Sequence, residues 1–504
     1  MMCSLRLSLR RASGVLILTL LASTNCWSQD PAPVTTVPAQ IVTLQQLQRE
    51  AAVRAERVLI TEQQAEAADL ALDAYTASLL PRLDLFATLP NYFRTSTEVT
   101  QDDGTIAFRE IELNNSSVGL QLNQRIGATG GLIGLETRLQ RTDNFAQDTK
   151  NYNGSPVRLL IQQPILAFNP WRWDRRLLPL EAELSERSRA AARAAAALDA
   201  TELFFDLVSA DQERRIAETN REANETLYRI AEERYDLGQI NRGDLVQLEL
   251  ELTSARQNLL RAERLVGAAS AAIRQYLGEA YTGELLEPVA PEVTATLTNL
   301  EVTAARATEL LAARPELLEV TRTTLLAERE ADRVRRDFGP RLDLNASIGL
   351  IRNADALEPI YTDPQNERTV SLTFAVPLLD WGERRARNKQ AATEVALAQQ
   401  LGQRTQLNLQ SQLTQLLDQW QTVREELLLA ARIRDLAEER FRISQESYTL
   451  GAIPLAELTL AQQNRDQNTR AYAATLRAYW LTYANLERLT LYDFVNDQPL
   501  YDEL

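Results

Sequence analysis

The sequence contains no histidine, and its only cysteines and methionines are Cys3, Cys26, Met1 and Met2. If the first 28 residues are removed as a leader, the rest of the chain has none of these three residue types. Such a chain offers no thiol nucleophile, no imidazole base, no soft metal ligand and no disulfide. We therefore exclude catalytic triads, redox centres and the usual zinc sites, and expect neither a cofactor nor an enzymatic activity.

Lysine, glycine and proline are also scarce. Lys150 and Lys389 are the only lysines, and 504 residues include just 18 glycines and 18 prolines. Acidic residues outnumber basic ones by 69 to 54, for a net charge of −15. A chain this acidic repels phosphates, so no nucleic-acid partner is expected. The remaining composition, dominated by Ala, Leu, Glu, Gln and Arg, is typical of long helices.

The start of the chain has the pattern of a targeting segment. Three arginines precede an apolar run over residues 14–22, and small or neutral residues follow as far as Ser28. This predicts a signal peptide over 1–28, because the run is too short to span a bilayer. Lipidation of Cys26 is an alternative, although the residues before it fit a lipoprotein signal poorly. No other stretch reaches 18 apolar residues, so a membrane-spanning part would have to be a β-barrel.

The chain is predicted to be an internal duplication. Three pairs of stretches match in the same order: 80–85 with 339–344, 163–166 with 376–379, and 235–238 with 448–451. The first pair is offset by 259 residues and the other two by 213, so the first half carries an insertion of 46 residues. Matches in constant order indicate a repeat of one structural unit.

Each half is predicted to contain a helix, a pair of strands, a very long helix and a shorter returning helix. The predicted helices are 43–79, about 60 residues ending at Tyr235, and 244–277, then 303–338, 383–448 and 455–490. Alternation of apolar and polar residues predicts strands after Pro81 and Pro340, and return strands that end before Pro164 and Pro377. Proline ends a strand ladder and presets the first turn of a helix. The helix over 383–448 would span ~100 Å, as a coiled-coil rod.

The insertion has a pattern of its own. Strict alternation continues on both sides of a glycine-rich turn at 127–131, which predicts a hairpin over 115–141. The polar stretches 95–115 and 142–156 are predicted to be long loops. A short turn at one end and long loops at the other are the layout of an outer-membrane barrel.

The succession of helix, strand pair, long helix and Tyr-x-Leu-Gly turn resembles the TolC-like outer membrane efflux protein family over 43–278 and 301–490. The resemblance implies a mainly α fold with a membrane β-barrel. Three protomers would close one barrel in the outer membrane of a Gram-negative bacterium, with a coiled-coil tunnel reaching into the periplasm. It further implies a passive exit duct of a tripartite efflux or type I secretion system, with a periplasmic adaptor (membrane fusion protein) and an inner-membrane pump as partners. Physical reasoning agrees, because open sheet edges are not tolerated in lipid.

These interpretations divide the chain into five segments: a signal peptide (1–28), a first repeat (29–278), a linker (279–300), a second repeat (301–490) and a tail (491–504). The resemblance implies four strands per protomer and twelve per trimer. The hairpin over 115–141 departs from that pattern. If it joins the sheet, a trimer would have 18 strands; otherwise it forms an external loop or plugs the mouth of the barrel. Its clean alternation and short turn favour the first alternative.

The two predicted helical turns supply the candidate functional residues. The candidate adaptor contacts are Tyr235, Leu237, Gly238, Tyr448, Leu450 and Gly451. The alternative is that each glycine merely caps a helix and each tyrosine packs its last turn. Asp244 and Glu457 stand six residues past each glycine. The resemblance places an acidic channel constriction at Glu457, where three copies would form a ring that sets cation preference. As an alternative role, a carboxylate in the first turn of a helix is stabilised by the helix dipole. Members of the family commonly have a second acidic residue one turn further on, where this chain has Leu460.

Two alternatives to a channel remain. A periplasmic adaptor-like or secreted coiled-coil structural protein would share the rods, but should have one helical hairpin flanked by compact β-domains. A hydrolase that uses two carboxylates would need a compact fold with aromatic-rich loops. Trp171, Trp173 and Trp381 follow the strand-ending prolines. They suit either an aromatic belt at a membrane interface or the packing of helices against the barrel.

Overall fold

The computed structural model describes residues 40–102, 104–278, 285–291, 293 and 300–500. The predicted signal peptide with Cys26, most of the linker and the last four residues lie outside these ranges. The described helices are α1 (Leu44–Arg54), α2 (Glu56–Ser78), α3 (Pro170–Asp236), α4 (Arg242–Leu277), α5 (Ala304–Leu310), α6 (Pro315–Asp337), α7 (Glu358–Thr362), α8 (Glu383–Thr449) and α9 (Leu455–Thr490). The described strands are β1 (Gln40–Thr43), β2 (Arg82–Thr88), β3 (Tyr92–Thr100), β4 (Ile106–Ile126), β5 (Gly131–Asn144), β6 (Thr149–Pro164), β7 (Leu286–Val289), β8 (Arg341–Ala354), β9 (Gln365–Ala375), β10 (Tyr492–Asp493) and β11 (Gln498–Pro499).

Helix lengths repeat between the two halves of the chain. Helices α3 and α8 have 67 residues each, and the returning helices α4 and α9 have 36 each. Helices α2 and α6 have 23 residues each. The predicted long helices are therefore confirmed, with α3 longer than expected at its start. No helix in the described ranges is both long and apolar enough to cross a bilayer.

The predicted helices over 43–79 and 303–338 are each interrupted, which corrects the sequence interpretation. Ala55 (φ −59°, ψ 135°) separates α1 from α2, and Arg314 (φ −67°, ψ 132°) precedes α6. Arg314 leaves the helical region because Pro315 follows it, and proline disfavours helical geometry in the residue before it. Ala55 and Arg314 lie 26 residues before Pro81 and Pro340 respectively, so both halves break at the same place.

Seven of the described strands form one antiparallel sheet in the order β2, β4, β5, β6, β8, β9, with β3 paired to the first half of β4. The predicted hairpin therefore lies inside the sheet, between β2 and β6. The prediction of long polar loops at 95–115 and 142–156 is wrong, because most of these residues extend β3 to β6. A strand shows an alternation of apolar and polar residues only where one of its faces is apolar. These parts of β3 to β6 are mostly polar on both faces, and their backbone hydrogen bonds need no apolar side chains, so the sequence pattern did not predict them.

One face of the sheet carries an apolar belt of exposed side chains: Leu83, Leu85, Leu120, Leu122, Leu135, Leu159, Ile348, Val370, Leu372 and Phe374. Cross-strand pairing aligns five of them in one row: Leu83, Leu122, Leu135, Leu159 and Ile348. Val370 is 75% exposed. Polar residues such as Asp84 and Gln121 alternate with the belt and therefore point to the opposite face. One chain thus has a sheet with an uncovered apolar face.

The main hydrophobic core lies among α1, α3, α4, α8 and α9. Its largest fully buried side chains include Phe204, Phe205, Trp420 and Tyr479. Beside it, β1 pairs in parallel with β7, whose residues come from the predicted linker. The predicted tail contains the β10–β11 hairpin. At this level, strand pairing therefore ties the linker to the first half of the chain.

Candidate functional site

The helical hairpin α3–α4 turns at a glycine in the left-handed conformation. Gly238 has φ +70°, and its N–H donates to the carbonyl of Tyr235 at 2.9 Å. The N–H of Gln239 donates to the carbonyl of Arg234 at 2.8 Å. This pair of bonds is a Schellman motif, which satisfies the last carbonyls of a helix.

The hairpin α8–α9 turns in the same way. Gly451 has φ +75°, and it donates to Tyr448 while Ala452 donates to Ser447, both at 2.9 Å. A Cβ added to Gly238 or Gly451 would meet no atom within 4 Å. Glycine is therefore required by the backbone conformation and not by lack of space. The helix-capping interpretation of both glycines holds, and their contact with an adaptor stays a prediction.

The side chains at the two tips are largely uncovered. Leu237 is 72% and Leu450 is 84% exposed. Tyr235 is also exposed, whereas Tyr448 is half-buried. Tyr448 packs against a small cluster that also contains Phe441, Leu458, Ala461, Leu227 and Ile453. Since Leu227 belongs to α3, this cluster joins the two hairpins close to their tips.

The two candidate constriction acids have different surroundings. Asn241 caps α4: its Oδ1 accepts from the N–H of Asp244 at 3.0 Å, and its Nδ2 donates to Asp244 Oδ2 at 2.9 Å. The carboxylate of Asp244 therefore has a local partner at the start of its helix. Glu457 is exposed in the first turn of α9, where no side chain caps the helix. The N–H of Glu457 donates to the carbonyl of Pro454 at 3.1 Å, but within the described ranges its carboxylate has no hydrogen bond or ion pair.

A buried polar group, the Asn220 network, lies further along the hairpins and consists of Asn220, Gln462, Arg465 and Asp466. Asn220 Nδ2 donates to Asp466 Oδ2 at 2.5 Å, and Asn220 Oδ1 accepts from Gln462 and Arg465 at 2.8 Å each. Arg465 donates twice to Asp466 Oδ1, at 2.6 and 2.9 Å. Arg465 is 6% and Asp466 is 7% exposed. The network links α3 to α9.

Two further ion pairs continue this link along the same helices. Arg470 binds both carboxylate oxygens of Glu213 at 2.6 and 3.0 Å, and Arg477 donates to Asp206 at 2.9 Å. Hydrogen bonding to Glu213 raises the pKa of Arg470 above its ordinary value. Asp206, Glu213 and Asn220 are spaced seven residues apart, the heptad period of helices that pack side by side. This link was not predicted, although the seven-residue spacing of the polar positions in the sequence is a signal for it.

The four junction prolines lie where sheet and helices meet. Pro81 and Pro340 directly precede β2 and β8, Pro164 is the last residue of β6, and Pro377 follows β9. Pro164 and Pro377 end the strand region, and the first turns of the long helices lie further along the chain, for α8 at the predicted residue 383. Helix α3 begins at Pro170, with Asn169 as its N-cap, and α8 begins at Glu383.

The three tryptophans near these junctions differ in their contacts. Trp173 Nε1 donates to Asp332 of α6 at 3.1 Å, which supports its role in helix packing. The guanidinium of Arg125 lies over the ring of Trp171, 5.5 Å from its centroid. Trp381 is 89% exposed. Only Trp381 thus has the exposure that an aromatic belt at a membrane interface would require.

Comparison with known proteins gives one family. The model of the family described as outer membrane efflux protein matches residues 47–279 and 307–490. The alkaline protease secretion protein AprF of Pseudomonas aeruginosa is 24% identical over 267 residues, which make up 51% of this chain and 52% of AprF. The chain therefore matches about half the length of this curated relative.

Solved structures of outer-membrane proteins have the same fold. The CmeC outer membrane channel of Campylobacter jejuni matches with a TM-score of 0.65 at 17% identity, over 89% of this chain and 85% of CmeC. The outer membrane protein VceC of Vibrio cholerae matches with a TM-score of 0.62 at 14% identity, over 89% of this chain and 96% of VceC.

Proposed function

Because the chain belongs to the outer membrane efflux protein family, we propose that it is the outer membrane exit duct of a tripartite efflux or type I secretion system. The proteins to which it is similar are outer-membrane channels and not enzymes. The observation that carries the proposal is the uncovered apolar belt on a sheet whose other face is polar. An outer-membrane barrel needs this arrangement, with apolar side chains toward lipid and polar ones toward an aqueous channel.

We infer that the functional unit is a homotrimer. Strands β2 and β3 form one edge of the sheet and β9 forms the other, and each of the three pairs with only one neighbour in the described ranges. Unpaired strand edges are not tolerated in lipid, so other copies of the chain must complete the barrel. Helices of 67 residues would then extend the channel by ~100 Å into the periplasm.

The tips of the helical hairpins are the proposed contact with a periplasmic adaptor. Leu237 and Leu450 are exposed apolar side chains at tight turns, and Tyr235 is exposed beside one of them. Uncovered apolar groups at the end of a rod favour contact with a partner. Tyr448 and the two glycines would support these turns from within.

Glu457 is the proposed constriction residue. Its carboxylate is exposed and has no partner in the described part of the chain, so three copies could present an unneutralised acidic ring. Asp244 is the weaker candidate, because Asn241 already binds its carboxylate.

The five-segment division of the chain and a location in the outer membrane, reaching into the periplasm, belong to the same proposal. An inner-membrane pump would supply the energy through the adaptor. The name of AprF, an alkaline protease secretion protein, adds secreted proteins to the cargoes that deserve a direct export assay.

The first test is fractionation of cells that express the full chain, followed by mass determination and negative-stain microscopy of the detergent-extracted protein. We expect a three-fold hollow particle from the outer membrane fraction, with a rod of ~100 Å at one end. A soluble monomer or dimer shaped as a solid rod would contradict the proposal, and would favour an adaptor-like or secreted structural protein.

A further inference from the structure

The sheet of one chain is six strands wide within the described ranges. Strands β2 and β3 follow one another along β4, so they occupy one position, followed by β4, β5, β6, β8 and β9. The family resemblance implies four strands per chain. The β4–β5 hairpin supplies the two additional positions, and it lies between β2 and β6 instead of at an edge.

The short turn of this hairpin is fixed at the level where helices join the sheet. Asn169, the N-cap of α3, donates from Nδ2 to the carbonyls of Gly127 at 3.0 Å and Ala128 at 3.2 Å. Gln124 Nε2 donates to the carbonyl of Leu79, which ends α2, at 2.5 Å. Because the turn and the end of β4 bind the ends of two helices, the hairpin spans the sheet as far as the helix junctions.

Both faces of the hairpin continue the faces of its neighbours. Leu120 and Leu135 belong to the apolar belt. On the opposite face, the carboxylate of Glu136 is buried and accepts from Arg158 of β6 at 3.1 Å. A loop outside the barrel or a plug in its mouth would not need one continuous apolar face and one polar face. The hairpin therefore has the side-chain pattern of a barrel wall.

The stagger of the strands suits closure into a barrel. The belt row that begins at Leu83 continues from Ile348 to Arg368 of β9. Leu83 lies two residues from Pro81, whereas Arg368 lies nine residues from Pro377, so the row climbs by seven residues over the five steps between six strands. A shear of one residue per strand accompanies a tilt of about 36° in the eight-stranded barrel. The stagger here exceeds one residue per strand, in the sense that closure of a sheet of tilted strands requires.

The two edges are suited to each other. Strand β2 leaves the helix junction and β9 returns to it, so β9 of one copy would pair with β2 of the next in the antiparallel sense that every neighbouring pair in the sheet already has. An even number of strands per chain is what allows this alternation to continue around a ring. Leu85 on β2 and Val370 on β9 are exposed on the belt face, so the belt would be continuous across the junction.

We propose that three copies of this chain close an 18-stranded outer-membrane barrel, in which β4 and β5 of each copy are wall strands. The proposal rests on the proposed function, since it takes the trimeric channel as given. At equal tilt, 18 strands enclose about 1.5 times the diameter of twelve, enough for a broad aqueous channel. Each chain still has four strand–helix junctions, so the helical tunnel keeps its number of helices. Cargo size would then be limited by the tunnel and not by the barrel.

The test is cryo-electron microscopy of the full-length protein in lipid nanodiscs, with the strands counted in the barrel. We expect 18 strands around a three-fold axis. A three-fold particle with twelve wall strands would overturn this inference and leave the outer-membrane channel standing. A soluble particle, or one without three-fold symmetry, would instead refute the proposed function.

Single-cysteine labelling gives a second test, because Cys3 and Cys26 both lie in the predicted leader. In vesicles, the thiol of Leu135→Cys on the belt should not react with a membrane-impermeant thiol reagent, but it should react with a lipid-soluble maleimide. Gln121→Cys on the opposite face should react with the impermeant reagent. Leu159→Cys on β6 is the matched control. If Leu135→Cys reacts with the impermeant reagent while Leu159→Cys stays protected, the hairpin lies outside the wall; if both react, the channel itself is refuted.

Discussion

Asn220 on α3 and Asp466 on α9 share a side-chain hydrogen bond of 2.5 Å, although 246 residues separate them in the chain. Asp466 also binds the guanidinium of Arg465, which lies over the ring of Phe441 at 4.2 Å from its centroid. Both charged side chains are almost fully buried. The two helical hairpins are therefore held together by a polar contact whose members satisfy one another.

Removal of the Asp466 carboxylate should be strongly destabilising. In Asp466→Ala the buried Arg465 guanidinium loses its counter-charge, and broken buried pairs of this kind cost about 3–5 kcal/mol. The exposed pair Arg477–Asp206 on the same two helices is the matched control, since Asp206→Ala should cost about 1 kcal/mol or less. Denaturant unfolding of the purified protein measures both. Equal losses in the two variants would show that the Asn220 network is not a buried contact.

The turn glycines should not tolerate a side chain. In Gly451→Ala the backbone must keep φ near +75°, which costs an L-residue about 1–2 kcal/mol. We expect faster hydrogen exchange in peptides that cover this turn. Gly267→Ala is the control, because Gly267 lies inside α4 with no atom within 4 Å of an added Cβ. It should stabilise α4 by about 0.5–1 kcal/mol. The prediction fails if exchange at the turn is unchanged in Gly451→Ala.

Glu487 should make stability fall as the pH rises. Burial raises the pKa of Glu487 from 4.5 to about 8, and the nearby Asp493 carboxylate adds to the shift. Between these two values the unfolded chain releases the proton and the folded chain retains it, so the free energy of unfolding decreases with rising pH. The loss should be on the order of 4 kcal/mol. Glu487→Gln should therefore raise Tm at pH 8 and leave it nearly unchanged at pH 4; the same shift at both pH values would contradict this.

Glu457 should set the ion preference of the reconstituted channel. Glu457→Gln removes one exposed, unpartnered carboxylate per copy, so the cation preference should weaken and the reversal potential in a salt gradient should move toward zero. Asp244→Asn is the comparison variant, because Asn241 already holds that carboxylate at the start of α4. Planar-bilayer recordings measure both. An unchanged reversal potential in Glu457→Gln would remove Glu457 from the constriction.

Most of the order of helices and strands could be predicted from the glycines and prolines that mark their ends. Gly238 and Gly451 end α3 and α8 in identical motifs, and Pro81 and Pro340 directly precede strands. These residues constrain or permit particular backbone dihedral angles, so their effect can be predicted from the sequence alone. The two exposed tips and Glu457 lie at or next to the turns that these glycines predicted. The turns alone do not predict a role for any side chain.

The features that were missed depend on distant parts of the chain or on comparison between halves. Ala55 carries no local signal for a break, yet the equivalent position in the second half, Arg314, precedes a proline. The pairing of β1 with β7 joins residues far apart in the sequence. The Asn220 network likewise depends on the packing of α3 against α9, which neither helix specifies by itself.

Asn169 binds the 127–130 turn and Leu79 binds Gln124 at the end of β4, and this anchoring has a consequence for design. A hairpin anchored at the junction between sheet and helices widens the barrel, and it adds no connection to the helical tunnel. The diameters of the barrel and of the tunnel can therefore change independently. The number of inserted hairpins sets the first, and the packing of the helices sets the second. Grafting residues 106–144 into a relative with narrower walls would be a direct route to nanopores of graded aperture on an unchanged stem.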